Sequence, residues 1–194
     1  MSENERVRTF LAIHPPEEVL RKIADIQGML RKIIHGSIGW VRPQGIHLTL
    51  KFFGEIGRED IGAISEVVAG HVAATPALKL DIQGLGVFPG SRRPRVLWIG
   101  VGGEAERLIA LQRVIDQELE SRGFGKEERP FRGHLTLARI KSPQGLSGIE
   151  KMLAEKGSES AGSFVAKVLT LFKSDLTPQG AIYTPLADFS FQGS

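Results

Sequence analysis

The tetrapeptide His-Leu-Thr-Leu stands at residues 47–50 and again at 134–137, one copy in each half of a 194-residue chain that has five histidines. At ordinary residue frequencies, the chance that any two of five histidines share their next three residues is about three in a thousand. An internal duplication is therefore the first constraint on the fold. The flanks agree with it. "WVRPQGIHLTLKFFG" and "ERPFRGHLTLARI" each place an aromatic residue, an arginine and a proline or glycine before the histidine, and a strand-like apolar run after it. Two related half-chains, each delivering a histidine on a strand, must fit into one architecture.

Apolar periodicity switches between 2 and 3.6 along the chain and predicts its elements. Strands are expected over 7–13, 46–56, 77–89, 94–101, 133–140, 163–176 and 181–191, and helices over 17–33, 59–74, 104–123 and 145–157. Pro15 and Pro16 stop the first strand, Glu17 and Glu18 suit a first helical turn, and Gly123 suits the end of the third helix. Several strands follow one another too closely for helical crossovers, which argues for an α+β fold with mainly antiparallel pairing in one domain spanning 1–194. A doubly wound arrangement is disfavoured. "GLGVFPG" lacks the G-x-G-x-x-G spacing and the following helix of a dinucleotide site.

Composition narrows the chemistry. The chain has no cysteine, so disulfides and thiolate ligation are excluded, and a cytoplasmic protein is expected. No run approaches the roughly 20 apolar residues of a membrane span. A net charge of +3 and a sequence pI near 9.3 tolerate an anionic partner without demanding one. Local clustering is more telling. In "SRRPRV", Arg92, Arg93 and Arg95 crowd a Pro-Gly turn, either as a solvated loop or as a lip that faces phosphate.

On a strand, His47 and Thr49 project from one face and Leu48 and Leu50 from the other, and His134, Thr136, Leu135 and Leu137 repeat the arrangement. The leucines read as core anchors. A lone strand histidine is more often structural than catalytic, but the duplicated H-x-T reverses that balance. Two imidazoles supply a proton acceptor and a proton donor near neutrality, and two hydroxyls can hold the oxygens of a tetrahedral anion between them. Strict alternation puts Lys51 and Phe53 on the same face, Lys51 toward a phosphate backbone and Phe53 as a stacking surface for a base. Trp40, Phe52 and Phe131 read as packing residues, Tyr183 as a candidate for the cleft, and His14, His35 and His71 as surface residues. A metal site would need further ligands, yet no H-x-H, H-E-x-x-H or acidic cluster accompanies the histidines. A serine nucleophile lacks G-x-S-x-G. Neither metal nor cofactor is expected.

The two H-x-T-x motifs, with "RTFLAI", "WVRPQGIHLTLKFFGEI", "RPRVLWIGV", "RPFRGHLTLARI" and "GAIYTPL", closely resemble the two-histidine (2H) phosphoesterases. Among these, the chain is similar to the RNA 2′,3′-cyclic phosphodiesterases, also called 2′-5′ RNA ligases. The resemblance covers nearly the whole chain. It implies a bilobal, duplicated fold of two mainly antiparallel sheets, with helices on their outer faces and a central cleft. It also implies metal-independent hydrolysis of RNA 2′,3′-cyclic phosphate ends to 2′-phosphate ends, with 2′-5′ ligation as the reverse reaction. A monomer acting on RNA ends or cyclic nucleotides is expected. By the same resemblance His47 is the proton donor and His134 the proton acceptor, although near-identical motifs leave the reverse open. Thr49 and Thr136 match phosphate-holding hydroxyls, and Arg139 matches an arginine near the phosphate. Alternation alone turns Arg139 away from the histidines, so a bulge or the strand's end must turn it back. Gly133 stands where the family often has proline. The competing reading is a non-catalytic module that binds RNA ends or cyclic nucleotides. Retention of both histidines and both threonines argues against it, because binding phosphate needs cations more than titrating acids and bases.

Overall fold

Among the described residues, four helices are set between strands before the chain ends in three strands. The computed structural model describes residues 6–127, 129–178 and 180–193. Strand β1 (Arg6–Ile13) leads through Pro15 and Pro16 into α1 (Glu17–Leu30), whose first turn closes on the Pro16 carbonyl. A short β2 (Ile38–Trp40) and a 3-10 turn precede β3 (Leu48–Gly57), α2 (Asp60–Ala73), β4 (Leu78–Phe88) and β5 (Val96–Gly103). Then follow α3 (Ala105–Ser121), β6 (His134–Ile140), α4 (Ile149–Lys156), β7 (Ser160–Ala166), β8 (Val168–Thr177) and β9 (Gly180–Ser190). No helix is long and apolar enough to cross a membrane among the described residues.

The α+β expectation is borne out, and so is the duplication. All strand pairing within the sheet is antiparallel, in the order β7-β4-β5-β6-β3-β1-β8-β9, with β2 beside β6. Read outward from the centre, β6-β5-β4-β7 on one side repeats β3-β1-β8-β9 on the other. A single residue pair, Leu48 with Leu135, joins the two halves. The strand expected over 163–176 is two strands, because β7 pairs with β4 whereas β8 pairs with β1 and β9. Only Lys167 separates them. Six strand intervals of flat sheet would hold them roughly 29 Å apart, while two residues of chain span about 7 Å. The sheet must therefore bend back on itself, and the thin Leu48–Leu135 junction is where its two halves meet.

The leucine face is buried. Leu48, Leu50, Leu135 and Leu137 join one apolar cluster with Ile23 and Leu30 of α1, Ile64 and Val68 of α2, Leu108 and Ile115 of α3, and Met152 of α4. Each half supplies a helix that grips the other half's central strand. Gln27 of α1 is buried and donates Nε2 hydrogen bonds to Leu137 O at 2.9 Å and Val41 O at 2.8 Å. Asp116 of α3 is ion-paired with Lys51 of β3. Helix α4 starts at Gly148, with φ +86°, where a Cβ would lie 2.0 Å from Ile33 O, so only glycine fits that close approach.

Candidate active site

His47 immediately precedes β3 and His134 opens β6, and the ladder contact between these strands pairs Leu48 with Leu135. Antiparallel register then sets His47 across from Thr136 and His134 across from Thr49. The two histidines occupy one diagonal of this quartet, with Cα atoms roughly 7–8 Å apart, and the two threonines occupy the other. The four side chains are half-buried on the face opposite the leucines. Among the described residues, neither threonine hydroxyl has a hydrogen-bond partner, so both are available to a ligand.

Both strands break alternation at the same place. The register of β3 against β1 runs from Ala12–Thr49 to Leu11–Lys51, leaving Leu50 as the extra residue. That of β6 against β5 runs from Trp98–Thr136 to Leu97–Ala138, leaving Leu137 extra. A bulge of this kind reverses which face later side chains take. In β6 the reversal returns Arg139 to the histidine face, where its charge acts on both His47 and Tyr183. In β3 it does the opposite to the alternation reading. Lys51 points to the helices, 3% exposed, with its ammonium bonded to Asp116 and, at 2.6 Å, to Gly125 O. Phe53 packs half-buried against Phe124, ring centroids 6.4 Å apart, beside Lys51. Neither lines the histidine face. Phe52, expected in the core, is 51% exposed, and its ring lies 5.6 Å from Phe10 on the histidine side.

The two imidazoles are held by the same device. His47 Nδ1 lies 2.8 Å from Gly45 O, and His134 Nδ1 lies 2.6 Å from Arg132 O. A carbonyl can only accept, so Nδ1 carries a proton in each ring and Nε2 is left as the nitrogen that exchanges one. Aromatic rings wall both. Phe10 stacks on His47 at 4.6 Å and Tyr183 meets it edge-on at 5.0 Å, with Phe172 behind Phe10 at 5.3 Å. Phe88 meets His134 edge-on at 5.0 Å, and Trp98 lies 6.4 Å away. Burial pushes His47 down to about 4, against the Gly45 hydrogen bond, and the charges of His14 and Arg139 push the same way. Burial likewise raises the Tyr183 phenol, which Arg139 and Arg8 oppose.

The aromatic walls are only partly legible in the sequence. Tyr183 stands out there as a cleft candidate, but Phe10, Phe88, Phe172 and Trp98 read as ordinary strand hydrophobics until cross-strand register places them. A cavity of about 610 Å³, bounded by Arg6, Phe52, Asp60, Arg122 and Lys126, lies beyond Phe52 and touches neither histidine. His35 and His71 lie apart from the site, and His71 bonds to Glu118 at 2.8 Å. Among the described residues, no group of three or more His, Asp or Glu side chains is placed to hold a metal ion.

The model of the LigT-like phosphoesterases matches the chain twice, over residues 13–98 and 99–183, so each match carries one H-x-T. The chain belongs to the LigT-like phosphoesterase family. An RNA 2′,3′-cyclic phosphodiesterase of Methanothermobacter thermautotrophicus is 35% identical over 184 residues, covering 95% of this chain and 98% of that protein. One of Thermotoga maritima is 33% identical, covering 96% and 97%. Among solved structures, a Thermus thermophilus protein superposes with a TM-score of 0.79 at 28% identity, covering 96% of this chain and 99% of that one. E. coli LigT complexed with 3′-AMP gives 0.75 at 26% identity, with the same coverage. This LigT-like chain thus matches, over nearly its whole length and nearly all of theirs, proteins named for a cyclic phosphodiester.

Proposed function

We propose that this chain is an RNA 2′,3′-cyclic phosphodiesterase that opens the cyclic ester to a 2′-phosphate, with two histidines and no metal. The observation that carries the reading is the doubled presentation of imidazole, with each Nδ1 tied to the carbonyl two residues back and each Nε2 left to exchange a proton. The phosphoryl group sits among His47, His134, Thr49 and Thr136. His134 Nε2 takes a proton from water as the water oxygen bonds to phosphorus. The bond from phosphorus to the 3′ oxygen breaks opposite it, and His47 Nε2 gives its proton to that oxygen. The threonine hydroxyls donate to the non-bridging oxygens and Arg139 balances their charge. The same steps with an RNA 5′ hydroxyl attacking phosphorus in place of water, and the 3′ oxygen again leaving, form a 2′-5′ linkage.

In the protein alone, burial keeps His47 neutral, which by itself suits an acceptor. A bound phosphate anion changes the balance, because an opposite charge at hydrogen-bond distance favours imidazolium. His47 then becomes a proton donor only when substrate is present. Both halves of the site come from one chain, so a monomer is sufficient. Phe52 and Tyr183, rather than Phe53, offer ring surface for the terminal base.

The test is to incubate the purified protein, in excess EDTA, with an oligonucleotide ending in a 2′,3′-cyclic phosphate and to identify the product end. A mass gain of one water and a phosphatase-sensitive 2′-phosphate are expected. A 3′-phosphate product, or turnover lost in EDTA and restored by one divalent metal, would contradict the reading.

A further inference from the structure

The loop joining β4 to β5 lies outside the quartet of histidines and threonines, yet it carries Arg92, Arg93 and Arg95 within four positions. We infer that this loop binds the phosphodiester backbone of single-stranded RNA upstream of the reactive end, and so favours an oligonucleotide over a cyclic mononucleotide. The inference rests on the cyclic-phosphate reading of the neighbouring site.

The first support is charge without partners. All three arginines are exposed, and among the described residues none of their guanidiniums makes an ion pair or hydrogen bond. Elsewhere on the surface Arg107, Arg122, Lys22, Lys126 and Lys173 are each matched with a carboxylate. Around the loop no such match is at hand locally, since residues 82–103 contain no acidic side chain. Unpaired guanidiniums keep their forked donors for phosphate oxygens.

The second support is position. The loop leaves β4 at Phe88, whose ring meets His134 at 5.0 Å, and returns at Val96, the partner of Arg139 in β6. Arg92 follows Phe88 by four residues, so its backbone stays within about 14 Å of the site wall. The loop is also tied down. Arg95 N donates to Phe88 O at 2.7 Å, Ile140 N donates to Arg95 O at 2.9 Å, and Pro94 is buried. Pro89 and Pro94 fix their own φ angles, so less freedom remains to be lost on binding. A mononucleotide has one phosphorus, already served by Thr49, Thr136 and Arg139. Guanidiniums one loop-length away need further phosphates.

The test compares the wild-type chain with an R92Q/R93Q/R95Q variant on a 2′,3′-cyclic mononucleotide and on an oligonucleotide of about ten residues with the same end. Mononucleotide kcat/KM is expected to stay within about twofold, while the oligonucleotide loses about tenfold at low salt, mainly in KM. Binding of a 2′-phosphate-ended oligonucleotide, followed by fluorescence anisotropy across salt, gives a readout independent of turnover. Three lost contacts to a single strand should lower the slope of log Kd against log salt by about 2. An unchanged oligonucleotide affinity and slope would overturn the inference, as would an equal loss on both substrates. Failure of the wild-type chain to hydrolyse either substrate would overturn the enzyme reading instead, while the anisotropy arm still decides the loop.

Discussion

His47 is tuned by its surroundings more strongly than its sequence context suggests. Phe10 stacks on it and Tyr183 closes one side, and the loss of water holds its pKa near 4. The sign of the resulting stability effect is fixed. The unfolded chain takes up the proton first, so this contribution is complete above about pH 6.5 and is lost as pH falls toward the folded value of about 4. Urea unfolding at steps from pH 7 to 4.5 should therefore show the wild type losing stability relative to His47→Asn, by at most about 3 kcal/mol. Parallel curves for the two proteins would contradict a buried neutral His47. On activity, His47→Ala and His134→Ala are each expected to lower kcat by roughly 10² to 10⁴ with the fold intact, and Thr49→Val by roughly 10² or less. The aromatic correction has its own check. Phe52→Ala should raise KM for a nucleotide substrate about tenfold without destabilising the fold, because Phe52 is exposed, whereas Phe53→Ala should cost stability first. Equal KM effects from both would restore the alternation reading.

At the scale of single elements, the two bulges separate what the sequence could tell from what it could not. The H-x-T-x pattern places His47, Thr49, His134 and Thr136 on one face because two-residue periodicity holds over those positions. It fails at Leu50 and Leu137, where a strand admits an extra residue whose only trace is the partner strand's register. Arg139 therefore regains the histidine face and Lys51 leaves it, and no count along either strand predicts both. The long run expected as one strand over 163–176 fails for a related reason, since a chain can keep extended geometry while changing partners at Lys167. Gln27 ties this architecture to the site by donating to the carbonyl of the bulged Leu137. Gln27→Leu leaves buried acceptors short of a donor and should cost about 1–3 kcal/mol in chemical denaturation. It should also lower activity more than that loss of folded protein explains, because the bulge aims Arg139. Gly86→Ala tests the other wall, as its Cβ would sit 2.2 Å from the Trp98 ring that backs Phe88 and His134. A soluble variant with Trp98 fluorescence and activity unchanged would contradict that packing.

The whole molecule is two copies of one plan whose central strands, β3 and β6, pair at Leu48 and Leu135 alone, with each copy's helix holding the other's central strand. Duplication is legible from the repeated tetrapeptide; the cross-grip is not, because Gln27 and Asp116 lie far from both motifs and Lys51, next to the first, carries no sign of its partner. Lys51→Met would leave Asp116 buried without its cation and should cost about 3–5 kcal/mol, although Lys51 points away from the histidine face. The central claim is that one histidine gives a proton while its counterpart takes one, and the pH dependence of kcat on a saturating, chemistry-limited cyclic-phosphate substrate tests it most directly. The account predicts a bell for the wild-type chain, whose two limbs belong to the coupled pair. His134→Ala should lose only the acidic limb of its residual activity, and His47→Ala only the alkaline limb. Exchanged limbs would reverse the donor and acceptor. A wild-type profile flat from about pH 5 to 9, a window that brackets an ordinary imidazole, would contradict two-histidine catalysis altogether.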